Sequence, residues 1–434
     1  MSERDDPDIA TEEGAPAEPE PTPLARPSEG VPAVSVSALE IARAAEKLDA
    51  GTGPFAVDAE RASGFRYSNR AYLIQIRRAG SGTVLIDPVN HGGSPLDVLR
   101  PLADVLATDE WILHAADQDL PCLAEVGLHP PALYDTELAG RLAGFDRVNL
   151  AAMVQRLLGL GLAKGHGAAD WSIRPLPDAW LNYAALDVEV LIELRSEVAA
   201  VLAAQNKTDW AAEEFEYLRR AESTPTRRDR WRRTSGLNKV RTTQGLAAVR
   251  EIWTARDRIA RNRDIAPGRI LPDSAIIAAA LADPKTVDEL TALAIFSGPK
   301  QRRTAGVWLD ALEAARRNDD PPEAAEAVNG PPPPVRWAKR KPEAVAYLDA
   351  ARSALGELSK RVGVPTENLV TPDLVRRLCW DWTDTADVSG TVAEFLSVGG
   401  ARNWQRELVV PALSGALSRA LIRDDDESVD LLGD

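Results

Sequence analysis

Early in the chain, four runs are apolar or alternate between apolar and polar residues: "FAVDAE", "AYLIQIRR", "TVLIDP" and "WILHA". Such runs predict β-strands. The first three are joined by short turn-like segments, as in hairpins, while the fourth follows the helical period of "PLDVLRPLADVLA". Together with the amphipathic helices that follow, this predicts one α/β domain over residues 36–220, a mixed sheet with helices on its faces. Residues 236–317 show only helical periodicity, as in "GLAAVREIWTARDRIARNRD" and "KTVDELTALAIF", and predict a small all-α domain. A second helical stretch, residues 337–424, contains "EAVAYLDAARSALGELSKRVGV". The rest connects or flanks these units: an acidic Pro-rich arm at 1–35 expected to be disordered, a basic connector at 221–235, a Pro-rich linker at 318–336 and an acidic tail at 425–434.

Composition narrows the function. No run approaches the roughly 18 apolar residues of a membrane helix, and the longest apolar block is "AIIAAALA" at 275–282. The N-terminus is acidic and lacks the basic-then-apolar order of a secretory signal, so the cytoplasm is the expected compartment. Cys122, Cys379 and four scattered histidines offer neither a disulfide framework nor zinc-ligand spacing. The net charge of −15 argues against nucleic-acid binding by the chain as a whole. Charge is unevenly distributed, however: residues 219–317 carry 21 Arg or Lys against 11 Asp or Glu, a basic middle suited to phosphate contacts.

The chemistry concentrates in three acidic clusters. Asp58 and Glu60 lie two apart on a predicted strand and therefore face the same way. Two adjacent buried anions need a counter-charge, and a hard divalent cation suits carboxylate oxygens. Asp117 and Asp119 sit where the fourth strand gives way to a helix, a place where an Asp often serves as N-cap. Tyr183 and Asp187 are four apart in "LPDAWLNYAALDVEVLIELRSEVAAVL", read as one long helix, and so share a face. A structural tyrosine–carboxylate hydrogen bond accounts for that pair as well as a catalytic role does.

The ordered set D-x-E, H-A-x-x-x-D-L and Y-x-x-x-D, with "ADWSIRPL" just before the last, resembles the ribonuclease D branch of the DEDD 3′-to-5′ exonucleases. The resemblance covers residues 36–215 and implies an RNase H-like mixed sheet. Position by position, it places the family's four acids on Asp58, Glu60, Asp119 and Asp187 and its tyrosine on Tyr183, the mark of the DEDDy subgroup. Asp119 rather than Asp117 corresponds, because the family's acid directly precedes a Leu, here Leu120. Residues 236–317 resemble an HRDC domain, a helical nucleic-acid-binding module, and residues 337–424 resemble a second such module more distantly.

The resemblance implies a cytoplasmic exoribonuclease using two divalent cations, Mg²⁺ or Mn²⁺, about 3.5 to 4 Å apart. Asp58, Glu60 and Asp187 would hold the ion that activates water, Asp58 would bridge to the second, and Asp119 would support that one through water. Tyr183 would orient the attacking water. The implied substrate is RNA, tRNA precursors above all, released as 5′-mononucleotides. Candidate nucleic-acid contacts are His114, Lys164, Trp171, Arg174, Arg232, Arg233, Lys239 and Arg241. His114 reads as a hydrogen-bonded core residue before it reads as a contact, and Trp171 equally as a packing residue. Where the family often has Ser or Thr before the D-W pair, this chain reads "HGAADW". A DNA exonuclease of repair and a catalytically silent binding protein remain as alternatives, and the oligomeric state is open.

Overall fold

The computed structural model describes residues 20–430 except 90–91, 164, 222–228, 319–321, 323–329 and 384, and only the backbone of 300 and 421–430. Lys164, residues 1–19 of the acidic arm and most of the Pro-rich linker lie outside the described residues. The described chain begins with β1 (Thr22–Leu24), β2 (Val34–Ser35) and helix α1 (Ala38–Asp49). The long hairpin β3 (Thr52–Arg61) and β4 (Ala71–Ala79) comes next, then β5 (Gly82–Ile86) and β6 (Trp111–Leu113). A short helix α2 (Leu120–Ala124) leads to β7 (Leu133–Asp135), helix α3 (Thr136–Leu142) and β8 (Leu160–Leu162). Helices α4 (Asp178–Glu189), α5 (Leu191–Ala204) and α6 (Thr208–Arg220) close the domain.

Six strands form one mixed sheet in the order β2-β5-β4-β3-β6-β7. The β3–β4 and β4–β5 pairs are antiparallel, and β3–β6 and β6–β7 are parallel, as hairpins and a crossover helix dictate. The mixed sheet flanked by helices is the fold that the apolar pattern predicts. Phe55, Val57, Ile74 and Ile76 bury one face beneath α1, Ile41 and Leu48 among its contacts; Ala56 and Ile112 join a core on the other. With both faces covered, the central strands are almost continuously buried.

The structure corrects three expectations. The arm is ordered from residue 20: β1 runs parallel to β8, Leu24 packs on the larger core, and Ser28 donates to Glu189 from both its hydroxyl (2.6 Å) and its N–H (3.1 Å). Strands of two or three residues carry too few alternations to register as a pattern, and backbone pairing supplies what apolar side chains do not. The long helix of the third cluster is two helices meeting at Val190, beside Glu189, which Arg77 (3.0 Å) and Ser28 hold. The C-terminal helix reaches Asp430, into the expected acidic tail, since a formed helix extends at one hydrogen bond per residue fixed. At the end of β3 the strand register shifts between Glu60 and Arg61, and Arg61 reaches Asp119 (3.5 Å).

Both helical units dock on the α/β domain. In the middle unit, helix α7 (Thr243–Arg263) sits against the β3–β4 loop. There Tyr67 donates to Asp257 (3.0 Å), Arg70 pairs with Asp264 (2.9 Å) and Arg269 donates to the Gly64 carbonyl (2.8 Å). The C-terminal unit, with α8 (Pro342–Val362) and α9 (Asn403–Asp430), shares one continuous core with α3, α5 and α6. Trp404 stacks on Trp210 at 5.0 Å and donates to Glu214 (2.9 Å), which also receives Arg402 (2.6 Å).

Candidate active site

Strand alternation turns Asp58 and Glu60 to the same side of β3, and helical spacing turns Tyr183 and Asp187 to the same side of α4, which crosses β3. One oxygen from each of Asp58, Glu60 and Asp187 lies within 4.8 Å of the others. Asp119, which is 5% exposed, adds a fourth carboxyl to the same cavity of about 410 Å³. It occupies the N-cap position of α2, yet its side chain makes no capping bond; Asp117 points to solvent. Arg61, 3.5 Å from Asp119, is the cation that lines this cavity among the described residues.

Four carboxyls facing one cation cannot all be ionised in a buried site. Burial first, offset partly by the Ala59 backbone and Arg61, pushes Asp58 up to about 6. Burial, then the charges of Asp58, Asp187 and Asp119, pushes Glu60 up to about 10. Asp119 and Asp187 rise too, each through burial first and the Asp58 charge next. The Tyr183 phenol, hydrogen-bonded to Asp187, is driven far upward by burial and then by the charges of Asp187 and Glu60, so it stays protonated and acts as a donor. Such a set of hard oxygen donors, deficient in positive charge, fits a divalent cation.

Several residues that hold this arrangement carry no warning in the sequence. Gln75, fully buried and directly opposite Asp58 in the hairpin register, donates to Asp58 Oδ2 (2.8 Å). Its one sequence signal is a polar residue in the middle of "AYLIQIRR". Gly165 lies flat on the Tyr183 ring, where a Cβ would overlap the aromatic carbons. Asp135, at the end of β7, accepts from the N–H groups of Ala115 (3.1 Å), Ala116 (2.8 Å), Glu137 (2.9 Å) and Leu138 (3.1 Å). It thereby caps α3 and pins Ala115 at a φ of 61°, the left-handed turn that leads to Asp119. Asp135→Asn presents an amide N–H to a backbone N–H, and the expected result is a loss of about 2 kcal/mol in urea denaturation. An unchanged midpoint would show that the carboxylate is not holding this turn.

The candidate nucleic-acid contacts divide. His114 lines the cavity, its Nδ1 2.9 Å from the Thr136 hydroxyl, and burial lowers its pKa to about 4, so it is neutral. Trp171 is fully buried against Trp180 (5.3 Å) and Tyr183, and so is closed to a base. Arg174 is committed to Asp87 (2.6 Å) and to the carbonyls of Tyr72, Trp171 and Ile173. Of the two readings left open for Trp171, its burial with Ala184 and Ala185 fits packing, while Arg174, a candidate substrate contact, is instead held within the protein. Arg232 is half-buried over the Trp231 ring, while Arg233, Lys239 and Arg241 are exposed on the middle helical unit, outside the catalytic cavity.

Comparison with known proteins covers all three units. Residues 34–203 match the family model described as 3′-5′ exonuclease, residues 245–312 the HRDC domain, and residues 330–417 the 3′ to 5′ exonuclease C-terminal domain. A protein named Ribonuclease D from Gluconacetobacter diazotrophicus is 30% identical over 270 residues, 60% of this chain and 67% of that one. A crystal structure of a protein from Bifidobacterium adolescentis is 37% identical, covers 92% of this chain and 100% of its own, and superposes with a TM-score of 0.80. The fold is also that of Escherichia coli RNase D, 24% identical, with 89% of this chain and 98% of that one covered and a TM-score of 0.65.

Proposed function

The chain belongs to the ribonuclease D family and is a 3′-5′ exoribonuclease, and on that premise we propose that it trims structured RNA 3′ ends, tRNA precursors foremost, in the cytoplasm. The observation that carries the catalytic reading is the convergence of three carboxylates within 4.8 Å beside a protonated phenol. Support for structured RNA comes from the E. coli enzyme, described as an exoribonuclease involved in structured RNA processing, and from the basic middle unit docked beside the site.

In this reading Asp58, Glu60 and Asp187 hold the cation, and Asp119 supports a second. Bound Mg²⁺ or Mn²⁺ would supply the positive charge that lowers the pKa of water and balances the leaving oxygen. Tyr183, its O–H held by Asp187, orients the attacking water with its phenol oxygen; the water loses a proton and its oxygen forms the new bond to phosphorus as the bond to the 3′ oxygen breaks, and that oxygen takes up a proton from solvent to become the 3′-hydroxyl. The products are a 5′-mononucleotide and an RNA one residue shorter. Gln75 keeps the Asp58 carboxylate aimed into the cavity. Neutral His114, with one ring nitrogen at the Thr136 hydroxyl and a bond to the Val148 backbone, acts as wall rather than base.

The test incubates the protein with 3′-extended tRNA and with single-stranded DNA of the same sequence, in Mg²⁺, Mn²⁺ or EDTA. Stepwise, metal-dependent shortening of the RNA at a higher kcat/KM than the DNA is expected. Faster loss of the DNA would make this a DNA exonuclease of repair, and binding without shortening of either would make it a silent binding protein.

A further inference from the structure

Strand β8 pairs with β1 and with no other strand among the described residues. The Thr22 N–H donates to the Gly159 carbonyl (2.8 Å), Gly161 lies against the Pro21 ring, and Leu24 stands opposite Leu162. Beyond β8 the chain runs into Ala163 and Gly165 at the catalytic cavity. There Gly165 lies flat on the Tyr183 ring and His166 stands edge-on to it at 5.9 Å. The seat of the Tyr183 ring is thus fastened through one strand to the N-terminal segment, residues 20–33, which precedes the stretch matched as 3′-5′ exonuclease.

The same segment holds the helix that carries Tyr183. Asn182 donates to the Ala25 carbonyl (3.0 Å), and Glu189 accepts from the Ser28 hydroxyl (2.6 Å) and N–H (3.1 Å). Asn182 and Glu189 are separated by about two helical turns and so share one face of α4. That face is turned by roughly 100 to 160° from the one bearing Tyr183 and Asp187. The segment therefore grips α4 from the outside, and none of its residues lines the catalytic cavity. Glu189 is fixed in turn by Arg77 of β4 (3.0 Å), the strand paired with β3. Pro27, between the two points of attachment, is buried.

We infer that residues 20–33 form a strap that sets the position of Tyr183 and Asp187, with Ser28 and Asn182 as its positioning residues. The strap holds the phenol from two sides, through the helix and through the seat of the ring, and the carboxylate through the helix alone. A misplacement of about 1 Å at a reacting group costs up to about 100-fold in rate, so hydrogen bonds remote from the chemistry are enough to govern it. This inference rests on the exoribonuclease reading, in which both positioned groups act.

The test compares the full chain with its Ser28→Ala, Asn182→Ala and doubly substituted variants in steady-state shortening of a 5′-fluorescein oligoribonucleotide. The double variant is expected to lower kcat about tenfold, the smaller end of the cost of losing a group that orients a metal ligand, with KM within about twofold. Ser28→Thr, which keeps the hydroxyl, should retain the wild-type kcat. Mn²⁺ affinity, measured by titration calorimetry without RNA, should weaken about tenfold in the double variant, because Asp187 is one of the three converging carboxylates. Melting temperatures within about 4 °C of the wild type show that the fold is retained. Unchanged kcat together with unchanged Mn²⁺ affinity would overturn the strap's role, and so would a raised KM at full kcat, which would make the segment an RNA contact instead. If the wild-type protein shortens no RNA but the double variant still binds Mn²⁺ more weakly, the exoribonuclease reading fails and the strap stands.

Discussion

Asp58→Asn is expected to slow RNA shortening by more than about 10³-fold while raising the melting temperature of the metal-free protein. The rate falls because Asp58 belongs to the group of carboxylates within 4.8 Å and the Asn side chain carries no charge. Losing a residue that merely orients a metal ligand typically costs 10–100-fold, so loss of the ligand itself exceeds that. Stability moves the other way because Asp58 is a named cause of the upward shifts at Glu60, Asp119 and Asp187. Removing one charge from a crowded buried set relieves repulsion that the cation otherwise balances. Gln75 can still bond to the Asn carbonyl oxygen, so the hairpin is retained. Single-turnover shortening and calorimetry in EDTA read the two effects, and a variant that cuts at the wild-type rate would remove Asp58 from the site.

The second large effect is a pH-dependent stability that the cation reverses. In EDTA, melting temperature is expected to fall as pH rises from about 6.5 to about 8.5, by an amount equivalent to a few kcal/mol. Asp58 is raised from 3.8 to about 6 and Glu60 from 4.5 to about 10. A carboxyl raised on folding stabilises fully below its unfolded value, and that stabilisation is lost as pH climbs through its folded value. Glu60 therefore drives the loss across the whole window, and the raised Asp119 and Asp187 act in the same sense. His114, lowered from 6.5 to about 4, acts in the opposite sense between those two values, so the clean window starts above it. Carboxylates lowered on folding, such as Asp264 at about 2, are already fully ionised there and leave the slope alone. Divalent cation binding requires the ionised carboxylates, so adding Mg²⁺ should raise the melting temperature more at pH 8.5 than at pH 6.5. Glu60→Gln should make the EDTA profile shallower, with Asp119 and Asp187 keeping part of the slope; an unchanged slope in that variant would assign the effect elsewhere.

Much of this protein is set by short-range pattern. The D-x-E pair faces one way because strands alternate, and Tyr183 and Asp187 share a face because helices repeat every 3.6 residues. The four main strands, the helical units and the ordered acidic set all follow from such local rules. What local rules leave undetermined is anything that depends on register or on docking. Gln75 meets Asp58 because of the hairpin register, and Arg61 reaches Asp119 only through a shift in it. From their place beside the third cluster Arg174 reads as a substrate contact and Trp171 as either a contact or a packing residue, and the loop's inward turn commits the first to Asp87 and buries the second. The arm to residue 35 has few large apolar residues and so reads as disordered, although backbone pairing with β8 and contacts to Glu189 order it from residue 20. Which groups are available for chemistry, and on which face each stands, is legible from the chain because those depend on periods of two and 3.6. Which of them meet is decided by packing, since the four carboxyls stand on three separate segments, at 58–60, 119 and 187, that no local rule brings together.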